Sequence, residues 1–228
     1  MGGMVKKRPI PPQGRRVGVL GKGGTTKSTT LGHLLAHWSD RGIPVAAADQ
    51  DIPGDGEVGS LLTWARTQNL GGTVHPPIPH TRLREETRRL TPPGGIFAVD
   101  TEAWKKVAGG PHFSVLAAVD LAVWFMQPTD TEMERSGSVF GAIDHLTAVG
   151  AANVPRLVIV LSMVNRQSKA HIETRAALTD EGYHVLETMI PFTQASRGYA
   201  HAVGKPVRLV DNSPMDLLAA ELLEEMSK

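Results

Sequence analysis

Short apolar runs alternate along this chain with longer segments whose apolar positions recur at helical spacing. The runs Arg16–Leu20, Val45–Asp49, Ile96–Asp100, Leu121–Met126, Leu157–Leu161 and Leu186–Ile190 read as strands. Most are unbroken hydrophobic stretches, as expected of strands covered on both faces. Helical patterns fall at Lys27–Arg41, Glu57–Gln68, Thr81–Leu90, Glu134–Val149, Lys169–Glu181, Ala195–Val203 and Pro214–Met226. Arg41 in a last turn with Gly42 just beyond it is a helix stop signal. This alternation predicts a single α/β domain built on a doubly wound, mostly parallel sheet. Gly71-Gly72 through Pro79, and Pro92–Gly95, read as irregular connections.

Composition narrows the class. The 228 residues, 41% hydrophobic and 21% charged, suffice for one mid-sized domain with a real core, which excludes a wholly disordered chain. There is no cysteine, so disulfides, thiolate metal sites and cysteine nucleophiles are excluded together. The net charge of +1 implies no polyanionic partner by itself, but it is unevenly spread. Lys6, Lys7, Arg8, Arg15 and Arg16 stand among three prolines with no acid nearby, which predicts a mobile basic arm over 1–15 ahead of an acidic body over 16–228. The longest apolar run, Val115–Met126, is interrupted by Asp120 and falls far short of the roughly 20 residues that span a bilayer. A soluble cytoplasmic protein is expected.

The decisive segment is Gly21-Lys22-Gly23-Gly24-Thr25-Thr26-Lys27-Ser28-Thr29, between the first strand and the first helix. Glycines there let successive backbone N–H groups turn inward around phosphate oxygens, and the helix N-terminus adds its positive dipole end. Lys27 supplies a cation for the outer phosphates, and Ser28 can offer its hydroxyl to Mg2+. The general pattern places glycine directly before this lysine. Thr26 stands there instead, and a left-handed backbone at that point would strain it and weaken nucleotide binding.

Lys22-Gly23-Gly24-x-x-Lys27-Ser28 resembles the deviant Walker A motif of the ParA/MinD family, most closely that of the short plasmid-partition ParA proteins. The resemblance runs through nearly the whole chain from Arg16. Asp49-Gln50-Asp51 is similar to the family's D-x-D motif, and Asp100-Thr101 ends a strand as the Walker B aspartate does. Asp120 leading to Gln127-Pro128, then Ile190-Pro191 and Ala202–Val207, continue the likeness, as do Trp64 and Arg66. The family implies an ATP-bound homodimer in which Lys22 acts on the partner's nucleotide while Lys27 binds the β- and γ-phosphates of its own. It implies that Asp51 orients the attacking water, and that Ser28, Asp49 and Asp100 hold Mg2+. ATP contacts then extend over Gly21–Thr29, with base recognition near Ser162, Met163, Pro191 and Phe192. Such chemistry needs positioning and charge neutralisation more than covalent catalysis.

Departures are visible too. Glu102 stands where many members have proline, Ile52-Pro53 replaces a frequent Pro-Gln, and Ser162 occupies a position where asparagine often contacts adenine. No N-K-x-D follows the fifth strand, which disfavours guanine. His33 and His37 have metal-ligand spacing, yet no glutamate follows His33, so packing histidines are expected. Arg82, Arg84, Arg88 and Arg89, interleaved with Glu85 and Glu86, form either a solvated helix face with internal ion pairs or a DNA-facing patch. The amphipathic helix at Asp216–Met226 carries acidic rather than basic polar residues, so core packing is expected and membrane binding is not.

The reading is therefore a slow, Mg2+-dependent ATPase of ParA type. It forms an ATP-dependent dimer, binds double-stranded DNA without sequence preference, and drives plasmid or chromosome partition in the cytoplasm under stimulation by a ParB-like adaptor. Three rivals stand beside it: a related ATPase positioning another cargo such as a conjugation complex, a weakly hydrolysing ATP-gated DNA-binding regulator, and a small-molecule P-loop ligase or kinase.

Overall fold

The computed structural model describes residues 10–52, 57–105, 110–192 and 203–228, with the Arg135 side chain left aside. Six parallel strands form one sheet: β1 (Arg15–Gly21), β2 (Val45–Gln50), β3 (Thr73–His75), β4 (Ile96–Thr101), β5 (Leu121–Met126) and β6 (Arg156–Leu161). Their order is β3-β2-β4-β1-β5-β6, with β1 at the interior between β4 and β5. The helices are α1 (Lys27–Asp40), α2 (Ser60–Thr67), α3 (Leu83–Leu90), α4 (Pro111–Ala118), α5 (Asp130–Ala148), α6 (Ala170–Asp180) and α7 (Pro214–Met226).

Helices cover both faces, so the central strands are buried throughout. On one face α1, α2 and α7 pack on Val17, Val19, Ala47, Ala98 and Val123. On the other, α4 and α5 pack on Leu20, Ala122 and Trp124, and Leu83 of α3 joins Ala48, Phe97 and Val99. Trp38 donates its indole N–H to the Ala219 carbonyl at 3.0 Å, tying α1 to α7. The buried residues of α7, Met215, Leu218, Ala219, Leu222 and Met226, place that helix in the core. No helix among the described residues is long and apolar enough to cross a membrane.

Strands β2, β4, β5 and β6 and helix α7 fall where the hydrophobic pattern puts them, within a residue. Helix α2 starts at Ser60 rather than Glu57, and four further segments differ. Thr73–His75, expected to be irregular, is a short strand on the open edge of β2, paired Ala46 to Thr73 and Ala48 to His75. Leu186–Ile190 is not a continuous strand. It meets the chain of β6 at the isolated bridges Ile159 to Val185 and Val164 to Pro191, and the Ile190 amide donates to the Leu161 carbonyl at 2.9 Å. Between them the Glu187 and Thr188 amides turn away to donate to the Glu221 carboxylate of α7 at 2.6 and 2.9 Å. The helix α4 was hidden in an apolar run, because it buries His112, Val115, Leu116 and Ala118 and shows little amphipathic contrast. α5 starts a turn earlier than expected, where the Thr129 side chain caps it by accepting from the Glu132 amide.

Of the arm expected over 1–15, the structure describes only the end. Ile10 is buried there, the Gly94 amide donates to the Pro12 carbonyl, and Arg15 already belongs to β1. The helix expected at Ala195–Val203 lies outside the described residues except for its last position. Asp120 accepts hydrogen bonds from the backbone amide and guanidinium of Arg16, holding the start of β1 to that of β5.

Candidate nucleotide site

The carboxyl ends of β1, β2 and β4 converge where helices leave the sheet in opposite directions, the usual ligand crevice of an open parallel sheet. β1 ends at Gly21, where an added Cβ would lie 2.4 Å from the Phe125 carbonyl oxygen, so only glycine lets the chain pass β5 there. Gly24 and Thr26 both have left-handed backbones, at φ 83° and 65°. For threonine this conformation costs about 1–2 kcal/mol, so the strain foreseen at Thr26 is present, directly at the start of α1.

Lys27 is buried, and its ammonium donates to the Lys22 carbonyl at 3.1 Å. The Thr25 hydroxyl donates to the same carbonyl at 2.8 Å. Burial pushes the Lys27 pKa down, opposed by the charges of Asp100 and Asp51. Lys22 itself points outward, with 49% of its side chain exposed, and its ammonium lies 3.4 Å from the Glu132 carboxylate in the first turn of α5.

The parallel register sets Asp49 beside Asp100 at the strand ends. Both are fully buried, but their surroundings differ. Asp49 accepts from the Leu62 amide at 2.8 Å and the Asp51 amide at 3.1 Å, receiving the N-terminus of α2. That approach requires Gly59, since a Cβ there would sit 2.3 Å from the Asp49 carboxylate. Neither Asp100 oxygen has a well-formed hydrogen bond, although the Ser28 hydroxyl is near enough to favour its charged form. Burial, reinforced by Asp49, pushes the Asp100 pKa up to about 7. An unpartnered buried carboxylate beside a serine and a second carboxylate fits a divalent cation, which would remove this cost. Asp51 is half-buried. Its pKa is raised by burial and by the Glu102 charge, and lowered by Lys27 and Lys105.

Ser162 is fully buried and donates to the Thr25 carbonyl at 3.1 Å, so its hydroxyl braces the phosphate loop. Met163 has φ 55°, and the Val164 to Pro191 bridge brings it near Phe192, a residue 46% exposed. Ser162, Met163, Pro191 and Phe192 thus share one corner at the end of β6. Arg82, Arg84, Arg88 and Arg89 lie apart from this corner, on α3 and the short turn before it. Arg82 and Arg89 both pair with Glu86, at 2.8 and 2.6 Å. Arg88 is exposed. His33 packs edge-on against Trp64, their ring centres 5.7 Å apart, and His37 lies 3.4 Å from Asp216.

Two features escaped the sequence reading. Trp104 donates its amide to the Gly21 carbonyl at 3.0 Å and its indole N–H to the Ser138 hydroxyl at 2.9 Å, so the loop after β4 is fastened to both the phosphate loop and α5. No spacing rule announces that contact. Glu132 was legible in part, because Thr129-x-x-Glu132 is a capping-box pattern, but its pairing with Lys22 is a tertiary event. A cleft of about 960 Å³ opens beside Lys22, lined by Trp104, Phe113, Trp124 and the helix glycines Gly137 and Gly141.

The glycine loop between a parallel strand and a helix, with two aspartates on adjacent strand ends, defines a P-loop nucleotide-binding fold. More narrowly, it is the fold of the MinD/ParA-type P-loop NTPases. The chain superposes on a MinD cell division protein of Aquifex aeolicus with a TM-score of 0.64 at 13% identity, over 93% of this chain and 96% of that one. A Borrelia burgdorferi protein described as a plasmid partition protein, bound to AMPPNP, gives 0.57 at 11% identity, over 93% and 97%. Cobyrinic acid a,c-diamide synthase of Mycobacterium smegmatis, with ADP and magnesium, gives 0.62 at 14% identity, over 92% of each. No protein-family model and no curated protein matches this sequence.

Proposed function

We propose that this chain is a ParA-type, Mg2+-dependent ATPase that works as an ATP-dependent homodimer in the cytoplasm, or on the nucleoid if its host is bacterial, and moves DNA cargo with an adaptor of ParB type. The observation that carries the reading is the unpartnered buried Asp100, in register with Asp49 and beside Ser28 and Lys27. A P-loop fold has little reason to keep so costly a group unless a cation takes it up. Fold neighbours bound to Mg2+ and ADP, or to AMPPNP, support the choice of ligand.

In this mechanism the backbone of Gly21–Thr29 and the Lys27 ammonium bind the phosphates. Lys27 must leave the Lys22 carbonyl to do so. Asp100 and Ser28, with Asp49 behind them, would hold the magnesium ion, which would supply charge neutralisation to the phosphates when bound. Asp51 orients water. Lys22, exposed at the rim, serves the partner's nucleotide, and Glu132 holds it in the free subunit. Arg88, with Arg82, Arg84 and Arg89, offers phosphate contacts that two subunits present together.

The test is DNA binding against nucleotide state. The ATP form should dimerise by light scattering, bind duplexes of any sequence, and lose affinity about tenfold or more as salt doubles or triples. Arg88→Glu with Arg89→Glu should weaken all sequences alike and leave ATP affinity intact. Binding that ignores ATP, or that prefers one sequence at high salt, would favour the regulator instead. A second reading, the small-molecule ligase, is favoured by the cleft beside Lys22. Turnover that starts only on addition of a metabolite would select it.

A further inference from the structure

We infer that the cleft beside Lys22, between α4, α5 and the chain after β4, binds an uncharged, flat heteroaromatic molecule whose ring N–H donates to the His112 imidazole. The inference goes beyond the ATPase reading and does not depend on it, since the site needs neither ATP nor Mg2+. At about 960 Å³ the cleft lies within the size range of small-molecule sites.

Its wall is aromatic and fixed in advance. Two of the chain's four tryptophans, Trp104 and Trp124, line it together with Phe113. The Trp104 indole N–H donates to the Ser138 hydroxyl at 2.9 Å, and its amide donates to the Gly21 carbonyl at 3.0 Å. The Trp104 and Trp124 rings meet edge-on with centres 5.6 Å apart. On α5 the lining includes Gly137 and Gly141, one turn apart and both exposed. Glycine weakens a helix interior, and a Cβ at either position would meet no atom within 4 Å. What these glycines supply is open space against the wall, which suits the face of a planar ring.

The polar groups select the ligand further. His112 lines the same cleft, packs on Trp104 with ring centres 4.7 Å apart, and is only 4% exposed. Its ring donates to the Glu102 carbonyl, while Nε2 has no hydrogen-bond partner. Burial pushes the His112 pKa down, so the ring is neutral and Nε2 presents a lone pair. A buried acceptor left unpaired is costly, and a ligand donor removes that cost. The charged side chains of the lining, Lys22 and Lys105 against Glu132 and Glu134, balance. Lys22 is held by Glu132 at 3.4 Å and Lys105 by Glu102 at 2.7 Å. An ionic ligand would have to break such a pair. An uncharged one stacks on the wall and leaves both intact.

The experiment is calorimetry on the whole chain without nucleotide, using indole and 1-methylindole as probes. Indole should bind at one site per chain, about tenfold or more tighter than 1-methylindole, which cannot donate to Nε2. His112→Phe keeps a ring against Trp104 and should bring the two probes within about twofold of each other. Gly141→Leu has room for its side chain and gains helix propensity. It should unfold in urea no earlier than the parent, yet lose indole binding because the side chain fills the cleft. The inference falls if the parent does not distinguish the probes, if Gly141→Leu binds indole as the parent does, or if indole fails to bind up to its solubility. A chain that binds indole as expected but never hydrolyses ATP would remove the ATPase reading alone.

Discussion

Helix α1 joins two regions of opposite character. At its N-terminus lies the carboxyl edge of the sheet, where a buried aspartate lacks a partner and a threonine is held left-handed. Two turns further on is the seam with α2 and α7, where Asp216 accepts from the Arg41 guanidinium and the Asn212 amide and lies beside His37. There Gly32 lets the Trp64 ring lie directly against the helix, and the indole N–H of Trp64 donates to the Lys205 carbonyl at 2.7 Å. The seam fills its own space and surrounds its Asp216 carboxylate with donors, although the buried His37 Nε2 makes no hydrogen bond there. At the edge the buried Asp100 carboxylate has no such set of donors. Function and stability therefore draw on opposite ends of one helix, and substitutions should separate them.

The largest effect is expected at the edge. Lys27→Ala should remove measurable ATP binding in calorimetry with Mg2+, because Lys27 is the buried cation set for the β- and γ-phosphates, yet it should barely change the urea midpoint. Unchanged affinity would move the phosphate site elsewhere. At the seam the pattern inverts. Gly32→Ala forces a methyl to within 2.3 Å of the buried Trp64 ring and should cost about 2 kcal/mol in urea unfolding, overpacking outweighing the gain in helix propensity. Its ATP affinity, measured well below the midpoint, should match the parent.

The two regions should also oppose each other in pH. Asp100 is raised from 3.8 to about 7, so the fold keeps a proton that the unfolded chain releases, and ligand-free stability falls as pH rises between those values, by roughly 4 kcal/mol. His33 is lowered from 6.5 to about 4 by burial and by His37. Here the unfolded chain takes the proton, and stability falls as pH drops from 6.5 to 4, by about 3 kcal/mol. Between pH 4 and 6.5 these two slopes offset each other in the parent. Asp100→Asn should unmask stability that rises with pH over that window and raise the ligand-free urea midpoint at pH 7. His33→Gln should unmask a decline from pH 4 to 7. Identical pH slopes in the parent and both variants would show that neither burial is felt. The smallest effect belongs to Thr26→Gly, which relieves the left-handed strain at the cost of added backbone freedom. A gain of about 0.5–1 kcal/mol in thermal or urea unfolding is expected, and a loss would mean that the Thr26 hydroxyl, 3.4 Å from that of Thr30, matters more than its backbone.

The comparison also shows what the sequence could carry. Strand runs such as Leu121–Met126 and the glycine loop were legible because they depend on local pattern, and β1, β2 and β4 then had to converge at the loop. The pairing of Asp49 with Asp100 needed the parallel register, which follows once the order of strands is known. What stayed illegible depends on distant partners. Thr73–His75 becomes a strand only because β2 offers an open edge, and Leu186–Ile190 fails to become one because Glu221, more than thirty residues later, takes its amides. The Ser162 hydroxyl donates to the Thr25 carbonyl, a contact that no spacing encodes.

The sheet's margins bear on how copies of this chain can meet. β3 is only three residues long and runs into Pro76, Pro77 and Pro79, which withhold amide donors. The opposite margin, β6, is covered by the segment from His184 to Phe192, whose own outward amides at Glu187 and Thr188 are taken by Glu221. Neither side offers a long bare row of backbone groups for another strand to extend, the feature that drives runaway edge-to-edge aggregation. Any ordered self-association is thereby steered away from sheet extension and toward helical surfaces or the nucleotide rim. An assembly closed at that rim can be made and dissolved by a ligand, which an extended sheet cannot.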